Sequence, residues 1–244
     1  MPWSVYNSTG KLLQSLAIGD DSIVEGKLDV SNAPTNGYFL QAQSGEGGGL
    51  TWAAAGGDLS FGGDTFGANK VIGANDAYSL SLETSGNTAL TIAATGEVTM
   101  PLQPAVFAFN ASNENNLTGN GTAATARLNT EVYDQNADFA SNTFTAPVTG
   151  RYHISACLAV SGMTTSATAF LVQLVTSNRT FVPVQGVSVP ANGSYHWPLS
   201  VDADMDANDT VYMRFYVYGM GSDTVDIRGD GSEVETFMTV RLVA

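Results

Sequence analysis

The chain is short of cations. Its 244 residues hold 9 Lys and Arg against 23 Asp and Glu, for a formal net charge of −14. So few cations are poorly suited to neutralising a phosphate backbone, and no nucleic-acid-binding face is expected. Charge of either sign is scarce: 13% of the chain, about half the usual share. Ser, Thr, Asn, Gln and 26 Gly carry the polarity instead. The one cysteine, Cys157, leaves no intramolecular disulfide to form. It falls mid-strand and reads as a small core or interface residue. No run approaches the roughly 20 apolar residues of a membrane-spanning helix, so no membrane insertion is expected. The opening MPWSVYNSTGKLLQ lacks a basic start followed by an apolar stretch, so no signal peptide is expected. Helical periodicity nowhere exceeds about two turns. The nearest case, Leu12 to Ile18, is closed off by Gly10 and Gly19. An almost all-β protein remains.

What is present divides at about residue 102. Before it, short strand-like pieces stand between Gly clusters. WSVYN-STG-KLLQS reads as a small hairpin, followed by a loosely alternating SIVEGKLDVSN. Strand ends around Phe39 and Trp52 flank a Gly-rich turn at 45–49. The segment from Leu80 to Met100 alternates cleanly, with turns at Ser85-Gly86-Asn87 and Thr95-Gly96-Glu97. Such short strands cannot build a core on one chain. Trp3, Tyr6, Tyr38, Phe39, Trp52, Phe61, Phe66 and Tyr78 are nonetheless more aromatics than a linker carries. An intertwined, oligomeric β-shaft is the reading for 23–102, with 1–22 as an anchoring hairpin segment. After residue 102 come about ten strand-like runs, a sandwich or jelly roll. In DTVYMRFYVYG, Val211, Met213, Phe215 and Val217 make an apolar face. Tyr212, Arg214, Tyr216 and Tyr218 make the other, and tyrosine with arginine is the composition of a subunit interface.

The stretch TFTAPVTGRYHIS, 143–155, interrupts a strand with Pro147, which cannot donate to a ladder, and Gly150, which can adopt φ > 0. Beyond it Tyr152, Ile154, Ala156 and Leu158 alternate with His153, Ser155, Cys157 and Ala159.

Little of the chain reads as chemistry. Asp202, Asp204, Asp206 and Asp209 are spaced like a calcium loop, but Ala207 occupies the glycine position and Met213 the bidentate glutamate position. An EF-hand is excluded. A looser calcium site at these carboxylates is the one cofactor expectation, beside the reading as a solvated acidic turn. Arg228-Gly229-Asp230 spells an integrin-type tripeptide that turn chemistry explains. His153, mid-strand, and His196, in a polar turn region, are the only histidines, and no motif joins either to a serine or cysteine nucleophile. No enzyme is expected.

In order along the chain, Pro104-Ala105-Val106-Phe107, the segment Asn142 to Tyr152 with its Phe-x-Ala-Pro-x-x-Gly-x-Tyr pattern, Asp209-Thr210-Val211, and a closing strand from Phe237 to Leu242 resemble the complement globular head, a member of the tumour necrosis factor-like jelly-roll superfamily. The resemblance spans 104–244. It implies a trimer about a three-fold axis and a structural role for Pro147 and Gly150. The first hundred residues resemble the thin shafts of bacteriophage tail fibres, through Trp3 to Leu13, Gly37 to Ala42 with Gly49 to Trp52, and Leu80 to Val98. The two together imply a homotrimeric virion fibre, made in the host cytoplasm and mounted on the particle exterior. Its N-terminal segment would contact other virion proteins, and its 103–244 head would touch a host-surface glycan or protein. A capsid-mounted decoration without a receptor and a cellular lectin or adhesin stay open as alternatives. The expected contact loops, 113–121, 161–167 and 219–223, contribute Asn115, Asn116, Thr118, Thr164, Ser166 and Ser222.

Overall fold

A computed structural model describes residues 71–244 continuously and, before them, 5–6, 8–9, 12–13, 28, 30–43, 45, 49–54 and 69. The rest of the anchoring segment 1–22, with Trp3, and the aromatics Phe61 and Phe66 lie outside the described residues. The described elements are all strands. The chain divides into two compact units, 1–72 and 73–244.

In the first unit, β1 (Val5–Tyr6) pairs antiparallel with β2 (Leu12–Leu13), as a hairpin requires. β3 (Tyr38–Ala42) pairs with β4 (Leu50–Ala54), placing Leu40 opposite Trp52. Asn32 stands in for a strand beside β4. Its Oδ1 accepts from the Trp52 amide at 2.7 Å and its Nδ2 donates to the Trp52 carbonyl at 2.8 Å.

The second unit opens with the sheet β5 (Leu80–Thr84), β6 (Asn87–Ile92) and β7 (Val98–Thr99). Ser85 and Gly86, with φ of 52° and 74°, join β5 to β6. Two successive positive φ values give the turn whose twist matches a hairpin.

From Pro104 onward the chain is a sandwich. Its strands are β8 (Ala105–Phe109), β9 (Ser112–Thr118), β10 (Ala124–Thr125), β11 (Thr130–Asp134), β12 (Phe139–Ala140), β13 (Thr143–Thr145), β14 (Gly150–Met163), β15 (Ala169–Thr176), β16 (Thr180–Gly186), β17 (Gly193–Met205), β18 (Thr210–Tyr218), β19 (Val225–Asp230) and β20 (Phe237–Leu242). One sheet runs β12-β13-β18-β15-β16 with β10 on β18. The other runs β11-β8-β20-β14-β19-β9, with β17 on β14. The eight main strands thus form two four-strand layers, β13-β18-β15-β16 over β8-β20-β14-β17, and the chain crosses between them at every step but the β15–β16 hairpin, as in a jelly roll. Val106, Ile154, Leu158, Val172, Leu174, Val211, Met213, Phe215, Val217 and Met238 fill the space between the layers.

The break at 145–149 is where the chain changes sheet. Phe144 pairs with Val211 in one sheet and Gly150 opens β14 in the other. Across the corner the Phe144 and Tyr152 rings meet at 5.5 Å, and the Tyr152 hydroxyl donates to the Val148 carbonyl at 2.7 Å. Gly150 departs from expectation: it is not among the residues with positive φ. A Cβ there would lie 2.6 Å from Leu242 Cδ1 and 2.7 Å from the Ala244 carbonyl oxygen. The glycine is needed for close approach of the C-terminal strand, not for a left-handed turn. His196 also differs from expectation. It lies within β17, opposite Ala159.

Candidate functional site

The sandwich has two ends. At one, Pro104 enters beside Gly150, Met205 and Leu242, as the pairs Ala105–Arg241, Gly150–Met205 and Tyr152–Leu242 fix. At the other end lie the connections after β9, β14 and β18. The Asn120 amide donates to Asp223 Oδ1 at 2.9 Å, Thr122 Oγ1 donates to Asp223 Oδ2 at 2.7 Å, and the Met220 amide donates to the Gly119 carbonyl at 3.0 Å. The Thr168 amide donates to the Tyr218 carbonyl at 2.9 Å. The Thr165 amide donates to Asn192 Oδ1 at 2.9 Å, which brings in the loop before β17. The Thr122 hydroxyl, then the Asn120 amide, hold the Asp223 carboxyl below its ordinary pKa. Gly219, at φ +86°, lets the chain turn where a Cβ would sit 2.5 Å from Thr168 Oγ1.

The three expected contact segments therefore meet at one end, opposite the entry of the chain. Asn115, Asn116, Ser166 and Ser222 are exposed there and Thr164 is half-buried. Residues 113–118, however, are part of strand β9, because they pair with β19. Asn116 departs from that strand at φ +58°. Thr118 is fully buried. Its hydroxyl donates to the Thr122 carbonyl at 2.6 Å and accepts from the Val217 amide at 3.0 Å. It braces the end from inside and offers nothing to a ligand.

Tyr212, Arg214, Tyr216 and Tyr218 lie together on the outer face of the six-stranded sheet, where β18 runs between β15 and β10. They form a ladder. Arg214 Nε donates to Gln173 Oε1 at 3.0 Å, and its guanidinium stands 5.5 Å over the Tyr216 ring. Tyr216 stacks on Tyr218 with ring centroids 6.1 Å apart and 10° between planes.

The outer face of the seven-stranded sheet gathers residues that sequence spacing left apart. Cross-strand rows hold Asp202, His153 and Arg241, then Ser200, Ser155 and Thr239, then Pro198, Cys157 and Phe237. Phe237 and Tyr133 both meet Phe107 edge-on, at 5.6 and 6.1 Å. His153 Nδ1 lies 2.7 Å from Asp202 Oδ1 and its Nε2 lies 3.4 Å from Ser200 Oγ. This is the connectivity of a serine–histidine–aspartate relay, but the strands that carry it offer no oxyanion hole. The N–H groups of β14 and β17 lie in the plane of the sheet, so they cannot stabilise an oxyanion above it. Burial pushes the Cys157 thiol up, away from thiolate reactivity.

The acidic run does not converge. Asp202 faces His153, and Asp204 accepts from Arg179 Nη2 at 2.8 Å. Asp209 accepts from the Asp206 amide at 2.8 Å and from Asn178 at 2.6 Å. Among the described residues no three His, Cys, Asp or Glu side chains gather as a metal site would require. Arg228 is likewise occupied: Glu235 accepts from its Nε at 3.0 Å and its Nη2 at 2.9 Å. The Arg-Gly-Asp tripeptide thus does not present its arginine.

No family model matches the chain, and no curated protein matches it in sequence. Among solved structures, the globular domain of zebrafish complement 1qA protein is similar at 13% identity and a TM-score of 0.41, over 58% of this chain and 98% of that one. Murine APRIL is similar at 7% identity and a TM-score of 0.40, over 58% and 99%. The Eiger TNF of S. frugiperda is similar at 10% identity and a TM-score of 0.39, over 58% and 93%.

Proposed function

We propose that this chain is the subunit of a homotrimeric virion protein, a short bacteriophage tail fibre. Its jelly-roll head binds a host-surface glycan through the end formed by the 119–122, 164–168 and 219–224 loops. One observation carries the reading: those loops form a single hydrogen-bonded surface at the end opposite the entry of the chain. In a fibre held by its N-terminal part, that is the end turned outward. The surface is rich in Ser, Thr, Asn and Gly. Polar, adaptable loops on a rigid scaffold suit sugar hydroxyls, and a net charge of −14 disfavours anionic polymers. The tyrosine ladder of β18 supplies the subunit contact in this reading, since Tyr and Arg are enriched where proteins meet.

The test uses the full chain. It should bind host cells, select neutral glycans on an array, and compete with adsorption of the phage. Ser166→Trp and Ser222→Trp, both at exposed positions, should abolish all three. If the full chain neither binds nor competes while antibodies against it still label intact particles, the protein is a decoration and the receptor role fails.

A further inference from the structure

The sheet β5–β7 has two unlike faces. Its register sets Leu80 opposite Ile92, Leu82 opposite Leu90, and Ile92 opposite Val98, so these five share one face. Ser81, Thr91 and Thr99 share the other. Leu80 and Leu90 are half-buried, but the rest of the apolar face is open: Leu82 is 58% and Val98 57% exposed, and Met100 and Leu102, just beyond it, are 48% and 51% exposed. The acids lie off its centre. Glu83 follows a register shift after Leu82, and Glu97 sits in a turn, bonded to Thr95. The strand's exit is pinned to the head, because Gln135 Nε2 donates to the Met100 carbonyl at 2.8 Å and Asn136 Nδ2 to the Leu102 carbonyl at 3.3 Å.

We infer that this face is covered by the same face of two further copies of the chain, making β5–β7 a clamp that holds the assembly together below its heads. The inference rests on the trimeric reading above. Size selects the occupant. Strands of 5, 6 and 2 residues, spaced about 4.8 Å apart and rising roughly 3.3 Å per residue, present about 200 Å². A separate partner needs several times that area to bind stably. A copy already tethered through its own head does not, because the second contact forms at high effective concentration. Charge agrees. Residues 71–102 carry Asp76, Glu83 and Glu97 and no cation, so copies can meet only through the uncharged centre. Open apolar side chains recur on β3 of the other unit, where Phe39 is 63% exposed.

The experiment compares full-chain variants by light scattering and mass photometry across a dilution series. The Leu82→Asp/Val98→Asp pair should raise the concentration of half-dissociation at least tenfold. The milder Leu82→Thr/Val98→Thr pair keeps strand propensity and should shift it the same way by less. Ser81→Asp/Thr91→Asp, on the polar face, should leave it unchanged. A trimeric wild type whose dissociation neither apolar-face pair alters overturns the clamp and spares the trimer. An equal shift from the polar-face pair also overturns the clamp. A monomeric wild type overturns both readings.

Discussion

Gly150 and Asp138 show how single residues tie the head together. Val at 150 would put its Cβ into the space of Leu242 and of the Ala244 carbonyl. Gly150→Val should therefore cost about 1–3 kcal/mol, the usual penalty for overpacking. Denaturant unfolding reads this directly, and a variant with wild-type stability would remove the close-approach account. Asp138 is held above its ordinary pKa, first by burial and then by the charge of Asp134, and its Oδ2 is buried without a partner. The fold binds this proton more tightly than the unfolded chain does. Stability therefore rises as pH falls through the raised pKa, and levels off below the ordinary carboxylate range. At neutral pH the ionised group is a net cost. Asp138→Asn should raise the melting temperature at pH 7 by roughly 2–4 °C, corresponding to about 1 kcal/mol. The gain should vanish in acid. An equal shift at both pH values would mean that the charge of Asp138 is not the cause.

Among the elements, β18 was the most legible. Its strict alternation sorted Val211, Met213, Phe215 and Val217 inward and the tyrosines outward, and the structure keeps that sorting. The sheet change at 145–149 was legible as well, because a proline interrupts one apolar strand and alternation resumes at once. The hydrogen-bonded group of Ser200, His153 and Asp202 was not. Ser200 and Asp202 lie 47 and 49 residues from His153, and only the register of β14 on β17, set by core packing, brings them together. Thr118 was misread because a short polar run looks like a loop until a partner strand is known. Two outer faces compete for the subunit contact, the tyrosine ladder and the row through Ser155 and Thr239. Tyr216→Glu buries a charge in the proposed contact and should lower the mass of the assembly, whereas Thr239→Asp should not. The reverse result would move the contact to the seven-stranded sheet.

At the scale of the whole molecule, the 73–244 unit pairs a well-filled sandwich with a small sheet that a single chain leaves uncovered. An apolar sheet face is stabilised by a partner layer, and in the proposed clamp identical copies around one axis would supply it without a second protein. The same arrangement would turn three loop ends outward together and multiply weak sugar contacts by avidity. The clamp, the tyrosine contact and the joint presentation of the loop ends all depend on self-association. The most direct test is sedimentation equilibrium of the full chain at micromolar concentration. A homotrimer gives a single species of about three times the 25.5 kDa chain mass. A species that stays at 25.5 kDa across that range would contradict it.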